Sequence, residues 1–261
     1  LLTLPPAPRG PRERTGQAVT NVVGERYKGN LVYVDRGTHL KRWIEAIGPD
    51  VIQFNDDFTR VGLASSEAGP EWTVTRVEAG AGESTIAGND GVGGFLRITT
   101  DAAENDGVNA QLVNESFKLK STSYLYFGAF GCTISDVTES DFFLGLAITD
   151  TDILGGVTDR VGFEKLDGST ALKAMLEKDS TETLSASLAT LANATAFDIE
   201  FFWDGPNSRI EFFVNGASAS VPAITNLPDD EDLRVSWQFL TGTTAAKTMD
   251  VDRITVIQVG R

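Results

Sequence analysis

Glu139 and Asp141 are the carboxylates whose spacing best suits chemistry: two residues apart on an extended chain, they share a face and can work as acid and base. They precede the apolar run Phe142-Phe143-Leu144, and the simpler expectation is a pair of solvated acids opening a strand. Asp198 and Glu200 flank Ile199 with the same spacing and are expected on a solvent face. His39, the single histidine, heads a short amphipathic segment with no serine elbow nearby, so a structural or exposed role is expected rather than a triad. Cys132 follows Gly131 among alternating apolar residues and reads as a small buried hydrophobe. One cysteine excludes an intramolecular disulfide and a Cys-based zinc site. Gly80-Ala81-Gly82-Glu83-Ser84 and Gly91-Val92-Gly93-Gly94 lack the Gly-Lys-Ser/Thr of a phosphate loop and are expected to be plain loops.

Three acidic clusters could supply oxygen ligands to Ca²⁺: Asp229-Asp230-Glu231-Asp232, the Asp150/Asp152 pair, and Asp101 with Glu104, Asn105 and Asp106. None matches the EF-hand loop, and solvated loops are the ordinary outcome. No metal site and no cofactor is therefore expected, with Ca²⁺ as the one ion the clusters would suit. Trp203 and Trp237 lie within apolar runs and are expected in the core, whereas Trp72 and Trp43 are the better candidates for exposed contacts.

The elements that position these residues fall into two parts. Residues 1–50 carry 8 Lys/Arg against 5 Asp/Glu, leaving 14 against 32 for residues 51–261 and a net charge of −15 for the whole. So acidic a body repels a nucleic-acid backbone, and no run approaches a membrane span, so neither partner is expected. Residues 1–53 read as an extended, basic, proline-rich arm with Pro5, Pro6, Pro8, Pro11, Arg9, Arg12 and Arg14. Within it, Leu31 to Val34 suggests a short strand, and Thr38 is placed to cap a helical turn carrying Leu40, Trp43, Ile44 and Ile47 on one stripe.

From residue 54 onward short β-rich runs alternate with Gly, Asn and Asp clusters, the texture of an all-β sandwich of two antiparallel sheets. The clearest hairpin runs from Phe197 to Trp203, through Asp204-Gly205-Pro206-Asn207, into Arg209 to Val214. About a dozen strands and no long helix are expected over 54–261.

Phe197-Asp198-Ile199-Glu200-Phe201-Phe202-Trp203-Asp204-Gly205 and Ile210-Glu211-Phe212-Phe213-Val214-Asn215-Gly216 resemble the central hairpin of the concanavalin A-like jelly roll of laminin-G-like and legume-lectin-like domains. Phe54-Asn55-Asp56-Asp57-Phe58 and Met249 to Val256 resemble its first and last strands as they occur in tailed-bacteriophage virion proteins. The resemblance implies that these terminal strands pair. Hydrolases of related fold carry Glu-x-Asp-x-x-Glu, and here the last position is Leu144 in place of the general acid. The pattern thus points away from an enzyme.

A basic arm on an acidic jelly roll is similar to phage head decoration, or cement, proteins. The leading expectation is a non-enzymatic protein of the virion surface, whose partners are the major capsid protein and neighbouring copies of itself, with a homo-trimer favoured. Arg9, Arg12 and Arg14 would pair with acidic patches of the shell, and Leu40, Trp43, Ile44 and Ile47 would bury apolar area there. Two rivals stand beside it: a carbohydrate- or receptor-binding module of a tail fibre or spike, and a glycoside hydrolase with a degenerate motif.

Overall fold

The computed structural model describes the strands at 25–28 and 31–34 and residues 42–59, 71–91 and 93–260. In chain order the strands begin with β1 (Glu25–Lys28), β2 (Leu31–Val34), β3 (Trp43–Ala46), β4 (Val51–Asp56), β5 (Trp72–Val77), β6 (Thr85–Asn89) and β7 (Phe95–Thr99). They continue with β8 (Gly107–Leu112), β9 (Tyr124–Ile134), β10 (Ser140–Ala147), β11 (Arg160–Lys165), β12 (Ala171–Lys178), β13 (Thr181–Leu184) and β14 (Ala189–Thr190). The last are β15 (Phe197–Asp204), β16 (Arg209–Val214), β17 (Ala217–Ser220), β18 (Arg234–Thr241), β19 (Thr248–Val251) and β20 (Arg253–Val259). Among the described residues the helical content is a single 3-10 turn, Gly205–Asn207.

The fold is the expected sandwich of two antiparallel sheets. The first has the order β13-β12-β11-β10-β18-β8-β5, with β14 added to β12. Alternation sends Phe142, Leu144 and Leu146 of β10 inward and leaves Asp141 and Phe143 on the outer face. The second sheet runs β17-β16-β15-β9 and there divides, because β9 changes partner along its length. Residues up to Phe130 pair with β20, while Thr133 and Ile134 pair with β19. The bend falls at Gly131, whose φ of 60° suits glycine and whose Cβ, were there one, would lie 2.8 Å from that of Asp252.

The terminal strands pair as the resemblance implies, Phe54 opposite Val256 and Asp56 opposite Ile254. The β15–β16 hairpin is also present, closed by the 3-10 turn that Asp204 caps through the Asn207 N–H. Between the sheets, Phe127 and Phe201 stack at 5.1 Å and Phe163 meets Phe212 edge-on at 5.2 Å. Trp203, Trp237 and Cys132 are buried with them, and burial pushes the Cys132 thiol well above its usual range.

Three sequence expectations are corrected. The helical stripe is not helical where it is described: Trp43 and Ile44 lie on β3, which pairs with β2 to make, with β1, a separate three-stranded sheet. The pairing shifts between Val32 and Tyr33, so Trp43 and Ala46 are both buried at i, i+3 although the backbone is extended. Nor is Trp43 an exposed contact: it is buried against Tyr126, Phe202, Phe213 and Ile257 on the outer face of the second sheet. Ile44 and Ile47 stay exposed, at 38% and 65%. Trp72 is buried as well, edge-on to Phe54.

Glu200, finally, is not on a solvent face. β3 covers it, and it accepts hydrogen bonds from Arg42 Nε at 2.5 Å and Tyr126 Oη at 2.7 Å. Arg9, Arg12, Arg14, His39 and Leu40 lie outside the described residues.

Candidate functional site

The outer face of the first sheet carries an unusual load of polar side chains for a covered surface. Asn109, Gln111, Ser236 and Gln238 are all buried there because residues 148–159, between β10 and β11, fold back over them. The amides supply what a loop lying on a sheet lacks, namely partners for its backbone. Asn109 Nδ2 donates to the Asp150 carbonyl at 2.8 Å, and Gln111 donates to the Ile148 carbonyl at 2.9 Å while accepting from Asp150 N at 3.0 Å. Gln238 Oε1 accepts from Leu154 N at 2.7 Å, and its Nε2 donates to Asp152 Oδ1 at the same distance.

Under the loop, Phe143, Ala147, Ile153, Val157 and Met175 form a small apolar cluster. Arg160 closes its side, 5.4 Å from the centre of the Phe143 ring and paired with Glu177 at 2.6 Å and Glu164 at 3.1 Å. Burial raises the carboxyls of both glutamates above the usual range.

Where the loop stops short of the sheet's end a cavity of about 410 Å³ opens. Its polar groups come from four places: Asp141 on β10, Asp152 on the loop, Asp167 in the β11–β12 turn, and Asn105 ahead of β8. Val77, Leu154, Leu166 and Leu240 supply aliphatic surface between them.

Asp141 and Asp167 are the chemically distinctive pair. The Asp141 carboxylate, 7% exposed, accepts the Asp167 N–H at 2.6 Å. Burial, and then the neighbouring Asp167 carboxylate, raise the Asp141 carboxyl, so it keeps its proton at a pH where an exposed aspartate has lost it. Lys165 lies behind the pair with its Nζ bonded to the Ser140 carbonyl, and burial lowers that ammonium to about 8 against the pull of Asp141 and Asp167. The site therefore sets two carboxyl groups side by side, facing a third across the cavity: the equipment for holding hydroxyl groups and for acid–base chemistry.

The sequence motif is only partly assembled. Asp141 is on the cavity wall rather than solvated, whereas Leu144 is wholly buried in the core and points away from it. The position two beyond Asp141 is Phe143, buried under the loop. β10 thus carries one outward carboxylate, and its companions come from elsewhere. Asp152, one of a candidate cation-binding pair with Asp150, uses its Oδ1 to accept from Gln238 Nε2 and the Gly155 N–H, and Asp150 caps the Asp152 N–H. Asp167 was missed. Its signal was the Leu166-Asp167-Gly168 turn that any β11–β12 hairpin requires, with Gly168 at a φ of 66°.

The Asp229–Asp232 cluster is engaged by lysines, Lys178 on Asp229 at 2.6 Å and Asp230 at 3.0 Å, and Lys118 on Asp232 at 3.4 Å. Among the described residues no group of three or more His, Cys, Asp or Glu side chains is arranged to hold a metal ion.

No protein-family model matches the chain, and no curated protein sequence matches it. Its likeness is to solved structures. An endo-1,3-beta-glucanase from Streptomyces sioyaensis matches with a TM-score of 0.58 and 16% identity, over 84% of this chain and 100% of the glucanase. A Bacteroides ovatus mixed linkage glucan GH16 in complex with product matches with a TM-score of 0.54 and 12% identity, over 78% and 99%. The carbohydrate recognition domain of Emp47p matches with a TM-score of 0.53 and 12% identity, over 78% and 93%.

At these identities the likeness is one of fold. It corrects the expectation of a non-enzymatic protein, because the concanavalin A-like jelly roll adopted here is one that glycoside hydrolases and lectin-type domains alike present.

Proposed function

We propose that this protein binds a glycan in the cavity between Asp141, Asp152 and Asp167. The observation that carries the reading is the cavity itself: three carboxylates and the Asn105 amide, set among the aliphatic side chains of Val77, Leu154, Leu166 and Leu240. Sugar hydroxyls are donors that carboxylates accept, and the C–H faces of a pyranose lie on aliphatic surface. A volume of about 410 Å³ falls in the range of small-ligand sites. The fold it shares with a glucanase, a mixed linkage glucan GH16 and a carbohydrate recognition domain supports the same reading. Glycan binding displaces capsid decoration as the main reading, since the fold is shared with glucanases and a carbohydrate recognition domain and Trp43 is buried against its own sandwich.

A second reading, hydrolysis of the bound glycan, is favoured by the Asp141–Asp167 pair, two carboxyl groups side by side on the cavity wall, of which burial holds Asp141 above the usual range. One experiment addresses both. β-1,3- and mixed-linkage β-glucan oligosaccharides are titrated calorimetrically into the full chain and into Asp152→Asn, and reducing ends are counted after long incubation. Asp152→Asn keeps an oxygen for Gln238 and Gly155 but removes the charge that faces the ligand, so a loss of affinity of about tenfold is expected for one charged hydrogen bond. Equal affinity of the two proteins places the ligand elsewhere. Release of reducing ends that disappears in Asp141→Asn decides for turnover.

A further inference from the structure

We infer a weak divalent-cation site of the Ca²⁺ type between the β5–β6 and β7–β8 loops, with Asp106 and Glu78 as its direct carboxylate ligands. Asp106 is completely buried. Its Oδ1 accepts the Ala79 N–H and, at 3.2 Å, the Gly80 N–H, while its Oδ2 is buried without a hydrogen-bond partner. Glu78 repeats the arrangement one residue before Ala79: its Oε1 accepts the Ser84 N–H at 2.7 Å and its Oε2 is buried without a partner. A buried carboxylate oxygen left unmatched is costly, and here each of the two loops carries one, which calls for a positive charge between them.

The glycines of this loop point the same way. A Cβ at Gly82 would sit 1.6 Å from Asp101 Oδ2, so the Asp101 carboxylate occupies the space a side chain would take. A Cβ at Gly80 would lie 3.1 Å from Asp106 Oδ2 and 4.0 Å from Asp101 Oδ2. The loop is thus shaped to bring acidic oxygens in over bare backbone. Arg76 is the basic residue of this loop pair, and it donates its Nε to the Ser84 carbonyl at 3.0 Å and pairs with Glu83 at 3.1 Å.

Ca²⁺ accepts carboxylate, carbonyl and water oxygens in a flexible shell of six to eight, which fits two direct carboxylates without a third in place. So few charged ligands set the affinity at about 10⁻⁴–10⁻³ M, the range of weak extracellular modules. Mg²⁺ demands stricter octahedral geometry and sheds water reluctantly, so it is the poorer occupant.

The test uses the full chain, stripped with chelator and dialysed, with CaCl₂ as the sole addition. At 10 mM CaCl₂ the melting midpoint is expected to rise by about 3–6 °C, with a smaller rise in MgCl₂ at the same concentration. Asp106→Asn keeps an acceptor for Ala79 and Gly80 but lacks the charge, and is expected to lose the response. Glu78→Gln is expected to weaken it, and serves if Asp106→Asn does not fold. Asp229→Asn, engaged by Lys178, is expected to respond as the parent does. An unchanged midpoint together with no calorimetric heat in the parent overturns the proposal, and so does a full response retained in both Asp106→Asn and Glu78→Gln.

Discussion

At the residue scale the decisive fact is that Asp141 is held in its protonated form more strongly than in an unfolded chain. The folded protein binds that proton more tightly, so the associated stability is fully present below the ordinary aspartate range, near pH 4, and is lost as pH rises through the raised value. Ionising Asp141 beside Asp167 at neutral pH is a strain the fold bears for the sake of the site. Asp141→Asn keeps an oxygen for the Asp167 N–H and removes the charge. It is expected to raise unfolding free energy at pH 7 by about 1 kcal/mol, or about 2–4 °C in Tm, with little change at pH 3. Urea unfolding at the two pH values checks this, and a gain of the same size at both would show that the charge is not the cause. The same substitution should weaken glycan binding, so stability and function move in opposite directions at one side chain.

At the scale of elements, β3 and the Arg42 just ahead of it are attached to the second sheet by the Trp43 ring, by Ala46, whose N–H donates to Gln53 Oε1 at 3.2 Å, and by the Arg42–Glu200 ion pair. Trp43 meets Phe202 edge-on at 5.4 Å and Tyr124 at 6.4 Å, and Arg42 clamps the buried Glu200. Trp43→Ala removes a large buried ring and is expected to cost about 3–5 kcal/mol. Trp43→Phe should restore much of this, because the indole N–H is buried without a hydrogen-bond partner and contributes no bond to lose. Arg42→Ala leaves Glu200 without its guanidinium and is expected to cost about 3 kcal/mol, whereas the half-exposed Asp198, 3.8 Å from Arg42, contributes little. Chemical denaturation of these variants measures each difference, and a Trp43→Ala cost below 1 kcal/mol would mean that β3 is not docked in solution.

This element also marks where sequence reading stops. The sandwich and the β15–β16 hairpin were legible, because period-two alternation and Asp-Gly or Asn-Gly turns are local signals, whereas the pairing of the first and last strands followed only from the resemblance to a jelly roll. The strand at Trp43 was not, since a shift in pairing imitates the helical i, i+3 spacing. Nothing in the sequence around Gln111 and Gln238 marks them as covered, and only the fold brings residues 148–159 onto them. The Asp141–Asp167 contact depends on β10–β11 register, which no short window of sequence contains.

At the scale of the molecule, the arm and body expected from charge and composition meet inside an element rather than at a linker. The expected boundary after residue 53 falls within β4, whose six residues from Val51 to Asp56 pair with β20 from Val259 back to Ile254. A chain of residues 54–261 would therefore lose half of an edge strand. It would also lose β3 and uncover Tyr126, Phe202, Phe213 and Ile257, an aromatic and aliphatic patch on the outer face of the second sheet. Contiguous apolar surface of that kind drives self-association, and a bare edge at β20 adds unpaired backbone donors and acceptors. The net charge of −18 left on residues 51–261 opposes association, but salt screens exposed charge within about 8 Å at physiological strength while leaving apolar contact intact. Light scattering on a sizing column should then find the 54–261 chain larger and more concentration-dependent than the full chain, and more so as salt rises. A fragment matching the full chain in mass per particle and melting midpoint would place the outer-face patch under some other cover and detach β3 from the stability of the sandwich.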